Sequence, residues 1–204
     1  MKRLVWAMVA AMLFPACGSS NEISFGSGGQ GGSGDGGAGG SATGGGGGGG
    51  GGNASICTSG TYWLLGDFGN KNMHPGVPCM DCHVPGGKGQ KRTFDIAGTV
   101  YPTAHEPNDC NGVNVTGATV VITDANGTEH SLPVNSVGNF DHSDFFGTMT
   151  IPTPYQAKVV YQGKERVMQS SQINGNCNGC HSEVGNAGPP NSPGPAIPGR
   201  IMLP

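Results

Sequence analysis

The length and composition of the chain fit one small folded domain preceded by a segment that cannot fold. Glycine accounts for 40 of the 204 residues, and most of the excess lies before position 53. Gly/Ser tracts bury no apolar surface, so they do not offset the entropy of being ordered. The remaining residues, 56 to 204, suit a single domain with a modest core. A formal net charge of −3, with only 11% of residues charged, argues against a nucleic-acid partner.

Residues 1 to 16 have the pattern of a signal peptide. A positive start, Lys2-Arg3, precedes an apolar stretch at residues 4 to 14. That stretch is too short to span a bilayer, which needs roughly 20 residues. It ends in Phe14-Pro15-Ala16-Cys17, which resembles the lipobox of bacterial lipoproteins. The resemblance implies export to the cell envelope and a lipid anchor on Cys17; an ordinary signal peptide with a chance cysteine is the alternative.

Residues 17 to 55 are predicted to be a lipidated cysteine followed by a flexible Gly/Ser-rich linker. The linker includes nine consecutive glycines, at positions 44 to 52. A flexible coil of about 37 residues spans roughly 30 to 37 Å, so the folded domain could move clear of the membrane surface. Gly18, directly after the cysteine, gives no retention signal of the Asp type, which favours the outer membrane.

Seven cysteines in an exported chain require an explanation. With Cys17 assigned to lipid and four cysteines in the paired motifs described next, Cys57 and Cys110 remain. An even remainder in an oxidising compartment predicts a disulfide between them, and two unpaired thiols are the alternative. Closing a loop of about 54 residues would stabilise the fold by up to roughly 4 kcal/mol on the chain-entropy model.

Two pentapeptides of the form Cys-x-x-Cys-His, at Cys79–His83 and Cys177–His181, are the most specific chemical pattern in the chain. The spacing puts both sulfurs on one side of a single helical turn, and the adjoining imidazole can point at a metal. Such motifs are typical of covalent haem attachment. A four-sulfur zinc site is the main alternative. However, 94 residues separate the two pairs, far more than in zinc ribbons, and a ribbon needs no histidine directly after each pair.

On these two motifs the chain resembles c-type cytochromes. The resemblance implies two haem c groups as cofactors. It implies thioether bonds from the four motif cysteines: Cys79, Cys82, Cys177 and Cys180. It also implies that His83 and His181 are the proximal axial ligands of the two irons.

The sixth ligand of each iron is left open by the sequence. His74, in the turn Met73-His74-Pro75-Gly76 just before the first motif, is the leading candidate. Met73 could ligate in its place, which would raise the reduction potential. His105 and His142 are further candidates, and His130 is a weaker one. The sequence does not assign any of them to a particular haem.

Between the motifs, residues 94 to 170 show period-two patterning with turn signals. Asn126-Gly127 favours a hairpin turn, and no segment shows a helical stripe. The predicted fold class is therefore mainly β, a small antiparallel β-sandwich of six or seven strands. It is flanked by two haem-binding segments of loop or short helix, at 56 to 93 and at 171 to 204. The second ends in a proline-rich tail, which is expected to wrap around the second haem.

The three runs Gly98-Thr99-Val100, Gly117-Ala118-Thr119-Val120 and Gly138-Asn139-Phe140 resemble the carboxypeptidase regulatory-like (transthyretin-like) sandwich. The resemblance implies a non-catalytic spacer or binding fold. The insert at 102 to 114 and the proline-rich run at 151 to 154 depart from it.

The expected function is electron transfer in the cell envelope, with redox proteins as partners. The chain lacks a GxSxG elbow, an HExxH motif and a P-loop. One alternative is a haem enzyme, a peroxidase or a small-molecule reductase, or a gas or redox sensor; each needs one open iron position. Another is a subunit of a larger envelope redox assembly, in which the sandwich docks a partner.

Overall fold

A computed structural model of the protein describes residues 56 to 143, 150 to 185 and 199 to 204. The predicted signal peptide, Cys17 and the linker lie outside these residues. The described part contains one 3-10 turn, one short helix and seven strands. In chain order they are the turn Cys79–Asp81, β1 Phe94–Tyr101, β2 Thr119–Thr123, β3 Glu129–Pro133, β4 Asn139–Ser143, β5 Gln156–Tyr161, β6 Lys164–Val167, α1 Cys177–Cys180 and β7 Ile201–Met202. In the ranges described, no helix has the length and apolar character needed to cross a membrane.

The strands form two sheets, which confirms the mainly β fold class. One sheet has the strand order β3-β2-β5-β6 and is antiparallel throughout. The other has the order β4-β1-β7, in which β1 pairs with β4 antiparallel and with β7 parallel. The parallel pair was not predicted, because β7 comes from the proline-rich tail and the period-two pattern ends well before it.

The two sheets share one apolar core, made by the side chains that point inward from both. Its members are Ile96, Val100, Val115, Ala118, Val120, Ile122, Leu132, Val134, Phe140, Ile151, Tyr155 and Val159. Two tail residues, Ile201 and Leu203, pack against this core. Residues 201 to 203 therefore belong to the folded domain.

The turns of the sandwich form where the sequence predicted them. In the β2–β3 hairpin, the backbone N–H of Gly127 donates to the carbonyl of Asp124 at 3.0 Å. The Asp124 carboxylate accepts from the backbone N–H groups of Asn126 and Thr128, at 2.8 and 2.9 Å. Gly127 has φ +81°, a left-handed conformation that glycine adopts without strain. The Asn-Gly pair thus supplies the turn that sets the register of the hairpin.

The predicted disulfide between Cys57 and Cys110 is present, with an S–S distance of 2.05 Å and a Cα–Cα distance of 5.5 Å. Backbone hydrogen bonds support it, from Trp63 N to Asp109 O and from Asn111 N to Thr61 O, both at 2.8 Å. The insert at 102 to 114 therefore fastens the segment that precedes the first motif to the sandwich.

Strand β1 is buried on both faces. Its inner face contributes to the core, and its outer-face residues Ala97, Thr99 and Tyr101 are fully buried as well. The chain that covers this outer face carries the two Cys-x-x-Cys-His motifs. Strand β1 is therefore the element that positions the candidate site.

Candidate functional site

Each motif forms a single tight turn closed by its histidine. In the first motif the backbone N–H of His83 donates to the carbonyl of Cys79 at 3.0 Å. In the second motif His181 N donates to Cys177 O at 2.7 Å. The same hydrogen bond closes both motifs, although the first is a 3-10 turn and the second a single helical turn, and in each the histidine directly follows the second cysteine.

Both motifs are bonded to β1, at successive points along the strand. Phe94 N donates to the carbonyl of His83 at 3.1 Å, at the start of β1. Ala97 N donates to Gly175 O at 3.0 Å, just before the second motif. Thr99 N donates to the Asn178 side-chain oxygen at 2.9 Å, inside the second motif. One strand therefore brings together two segments that lie about a hundred residues apart in sequence.

Asn178, one of the two variable residues of the second motif, joins the motifs directly. Its side chain is 1% exposed. Besides accepting from Thr99 N, it donates to the carbonyl of Val77 and to the Thr99 hydroxyl, both at 3.0 Å. Its Nδ2 lies 3.9 Å from the Cys79 sulfur. The first cysteine of one motif is therefore close to the middle of the other.

Close backbone approach at Gly175 makes this docking possible. A Cβ built there would lie 1.8 Å from the carbonyl oxygen of Asp95 in β1. On the strand, a Cβ at Gly98 would lie 2.8 Å from the Cys177 Cβ. Each position accepts only a residue without a side chain unless the backbone moves.

The motif thiols that lie next to the core are held in their neutral form. Burial raises the pKa of Cys79 to about 12, and the nearby Cys177 sulfur adds to the shift. Burial likewise raises the pKa of Cys177 to about 12. Cys79, Cys82 and Cys177 are free thiols.

The geometry does not favour the zinc alternative. Within the part of the chain that the structure describes, one set of three metal-ligating groups converges within 4.8 Å: Cys57, Glu106 and Cys110. Two of its members form the disulfide, so their sulfurs are not thiolate ligands. The motif cysteines do not converge in this way.

Each motif histidine has Nδ1 bonded to a backbone carbonyl. His83 Nδ1 lies 2.8 Å from Arg92 O, and His181 Nδ1 lies 3.1 Å from Gly199 O. A carbonyl only accepts, so Nδ1 is the donor in both hydrogen bonds. This is the arrangement that orients metal-ligating histidines. The Phe94 ring stacks on His83 with ring centroids 4.3 Å apart, which further fixes its plane.

The three candidates for sixth ligand share this use of Nδ1. His105 Nδ1 lies 2.8 Å from Glu183 O, beside the second motif. His142 Nδ1 lies 3.2 Å from the Asp95 carboxylate, on β4 next to β1. His74 Nδ1 lies 2.8 Å from the Asp109 carboxylate, on the loop before the first motif.

His130, the weaker candidate, is bonded through its other nitrogen. Its Nε2 lies 3.0 Å from the carboxylate of Asp124, which is buried in the hairpin. The ring stands edge-on to His142, with centroids 5.8 Å apart. The use of Nε2 in place of Nδ1 distinguishes His130 from the other five histidines.

Sequence reasoning missed Arg200, a buried cation that ties the tail to both motif segments. Its side chain is 2% exposed and donates to the carbonyls of Gly76 and Glu106, each at 2.8 Å, and to the Asn108 side chain at 2.7 Å. It also lies 3.4 Å from the carbonyl of His181. A single arginine in the tail has no sequence pattern that indicates this role. The role of Asn178 in joining the motifs could not be predicted either, because attachment motifs accept any residue at its position.

The residues present fit haem in one respect: each motif histidine has Nδ1 on a backbone carbonyl, as the axial ligands of a haem do. Comparisons with protein-family models, with curated proteins and with solved structures found no match. Functional inference therefore depends on the motifs and their geometry.

Proposed function

We propose that the protein is a dihaem c-type cytochrome that transfers electrons in the bacterial cell envelope. The observation that carries the proposal is the pair of Cys-x-x-Cys-His turns held side by side on β1, each with its imidazole oriented by a carbonyl bond to Nδ1. Two motifs closed by the same backbone hydrogen bond and docked on one strand support the covalent attachment of two porphyrins.

The groups that would hold the two haems are the motif residues. Cys79 and Cys82 would bind one porphyrin, with His83 as its proximal ligand. Cys177 and Cys180 would bind the other, with His181. Attachment would add each thiol S–H across a vinyl C=C bond: the S–H bond and the π bond would break, a C–S bond and a C–H bond would form, and no oxidant would be consumed. Each motif cysteine must therefore be a reduced thiol when attachment takes place.

Bound haem supplies one-electron redox chemistry, and the chain supplies position and surroundings. Asn178 and β1 fix one motif against the other through short hydrogen bonds, so the separation of the two attachment points cannot drift. Phe94 and the His83–Arg92 bond fix the plane of the first proximal imidazole. A relay needs such rigidity, because small changes in geometry alter both coupling and potential.

The presence of three further histidines that could be sixth ligands favours an electron relay over an enzyme or a sensor. His74, His105 and His142 all have Nδ1 on an oxygen acceptor, as a sixth ligand needs. Two of the three suffice to complete both irons. A peroxidase, a small-molecule reductase or a gas sensor would instead need one iron with an open position.

The proposed setting is the envelope, with the chain exported by residues 1 to 16 and anchored through lipid on Cys17, in the outer membrane. The linker would let the domain reach redox partner proteins. The sandwich provides more surface than attachment of two haems requires, which supports docking to a partner in a larger redox assembly.

Visible and electron paramagnetic resonance spectra of the full chain, co-expressed with haem-maturation machinery, test the proposal. We expect two low-spin haems per chain and no carbon monoxide adduct. One high-spin haem that binds carbon monoxide would support the enzyme or sensor alternative. A colourless protein would refute haem attachment altogether.

A further inference from the structure

Exposed apolar side chains are concentrated in the segment that precedes the first motif. In the part of the chain that the structure describes, eight large apolar side chains are exposed, and five of them lie between positions 56 and 68. They are Ile56, Tyr62, Leu64, Leu65 and Phe68. Scattered exposed apolar residues are normal on a protein surface, whereas a concentration of them indicates an interaction site. We call residues 62 to 68 the apolar loop.

The tip of the apolar loop projects from the domain. Leu64, Phe68 and Leu65 are 86%, 71% and 62% exposed. A Cβ added at Gly66 or at Gly69 would have no neighbouring atom within 4 Å, so the space around the tip is open. The described part of the domain therefore leaves these three apolar side chains largely uncovered.

Hydrogen bonds nevertheless hold the loop in a defined shape. The Trp63 indole N–H donates to the carbonyl of Gly66 at 2.7 Å, and Phe68 N donates to Leu65 O at 3.3 Å. At the base of the loop, Trp63 N donates to Asp109 O at 2.8 Å, next to the disulfide. A loop that is already ordered loses little conformational entropy when it binds another surface.

The polar groups of the loop are paired, which lowers the cost of removing them from water. Asp67, the one charged residue between positions 56 and 70, lies 3.2 Å from the Lys88 ammonium group. The Trp63 indole N–H and the Gly66 carbonyl satisfy each other. An unpaired polar group costs far more to bury in an apolar phase than a bonded one does. The apolar loop can therefore enter an apolar phase while these groups stay paired.

The predicted linker joins the domain beside the apolar loop. It ends directly before Ile56, and the next residue, Cys57, is fixed by its disulfide to Cys110. Tyr62 forms a β-bridge with Cys110, so the start of the domain and the base of the loop meet at the same disulfide. A tether of about 37 residues from a lipid on Cys17 holds the loop at high effective concentration near the bilayer, so that even a weak contact is populated.

We propose that the apolar loop is a membrane contact, in which Leu64, Leu65 and Phe68 insert between the headgroups and acyl chains of a phospholipid bilayer. The proposal rests on the envelope setting proposed above, in particular on lipid at Cys17. Leucine and aromatic side chains favour this boundary, and Trp63 at the base of the loop lies at headgroup depth. The contact orients the domain, so that the rest of its surface is turned toward redox partners.

Flotation with phosphatidylcholine vesicles tests the proposal. The protein is the mature chain with Cys17→Ser, exported behind a cleavable signal peptide together with haem-maturation machinery, so that no lipid anchor contributes. We expect it to float with an excess of vesicles, equally well at high salt, because salt screens charge interactions but not apolar contacts. In the loop variant Leu64→Ser/Leu65→Ser/Phe68→Ser, the partition coefficient should fall at least about tenfold.

The matched control replaces by serine the other three large apolar residues that are at least half exposed in the described part of the chain: Val167, Ile173 and Val184. This variant should bind vesicles as the unmodified chain does, and circular dichroism checks that both variants fold. An equal loss of binding in the two variants, or binding that disappears at high salt, would overturn the membrane contact.

Two other occupants of the apolar loop would give different results. If a second copy of the chain covers it, size-exclusion chromatography shows a dimer that the loop variant lacks, and the vesicles bind no protein. If a haem covers it, the haem-loaded chain does not float. Either result would overturn the inference. The intact mass of the unmodified mature protein separates these results from failure of the proposed function, because a mass without lipid refutes the anchor and a mass without porphyrin refutes the haems.

Discussion

Replacement of Asn178 by alanine should destabilise the fold while leaving every attachment cysteine intact. The change leaves the buried backbone N–H of Thr99 without an acceptor. It also removes the hydrogen bonds that the Asn178 side chain donates, each at 3.0 Å, to Val77 O and to the Thr99 hydroxyl. A buried donor without an acceptor lowers the free energy of unfolding by about 1–3 kcal/mol, and each ordinary hydrogen bond contributes about 0.5–1.5 kcal/mol to it. The Thr99 hydroxyl keeps its bonds to Gly76 N and Asn139. The expected loss in free energy of unfolding is therefore about 2–4 kcal/mol.

Urea unfolding of the full chain, followed by far-ultraviolet circular dichroism, measures this loss as a lower midpoint at unchanged slope. Asn176→Ala is the matched control in the same segment, because its side chain also bridges the motifs but does so through one exposed hydrogen bond, to Asp81 at 3.3 Å. The control should lose less than about 1 kcal/mol. If Asn178→Ala and Asn176→Ala unfold at the same urea concentration, the buried hydrogen bonds of Asn178 hold the motifs together no more strongly than the exposed bond of Asn176.

Three further changes probe the disulfide, the docking of the second motif and the hairpin. Joint replacement of Cys57 and Cys110 by serine should lower the free energy of unfolding by about 2–5 kcal/mol, measured by urea unfolding. Gly175→Ala forces a Cβ to within 1.8 Å of a β1 carbonyl and should lower the melting temperature, whereas Gly69→Ala, with nothing within 4 Å, should not. The pKa of Asp124 is lowered, chiefly by its histidine hydrogen bond. The stability that the Asp124 carboxylate contributes is therefore fully present above the ordinary carboxyl pKa, and it is lost as the pH falls through the lowered pKa of Asp124. Asp124→Asn should therefore reduce the loss of stability at acid pH.

Each of these expectations has a result that would contradict it. Equal urea midpoints for the serine variant and the unmodified chain would mean that the disulfide contributes no stability. Equal melting temperatures for Gly175→Ala and Gly69→Ala would mean that the backbone at Gly175 is not in close contact with β1. If Asp124→Asn leaves the acid-unfolding profile unchanged, the Asp124 carboxylate does not contribute to the pH dependence of stability.

The sandwich could be predicted because its signals are local. Alternating apolar residues such as Val120 and Ile122 fix which face is buried, and Asn126-Gly127 fixes a turn and hence a register. The disulfide could be predicted by counting cysteines, because only Cys57 and Cys110 remained without a role.

The docking of the motifs could not be predicted, because it depends on contacts between residues far apart in sequence. Asn178 and Arg200 act through buried hydrogen bonds to backbone carbonyls, which leave no periodic pattern. Parallel pairing of Ile201 with Val100 joins opposite ends of the domain and has no local signal. Likewise, nothing in the sequence indicated that Asp109 would contact His74. The sequence supplied the motifs and the candidate histidines, and the tertiary contacts supplied their relative placement.

The most direct measurement of the central claim is the intact mass of the mature full chain, produced with haem-maturation machinery. We predict a mass increased by two porphyrins, and by one porphyrin when Cys177 and Cys180 are both replaced by serine. A mature chain with no porphyrin, or an unchanged number of porphyrins in the serine variant, would contradict covalent attachment at the two motifs.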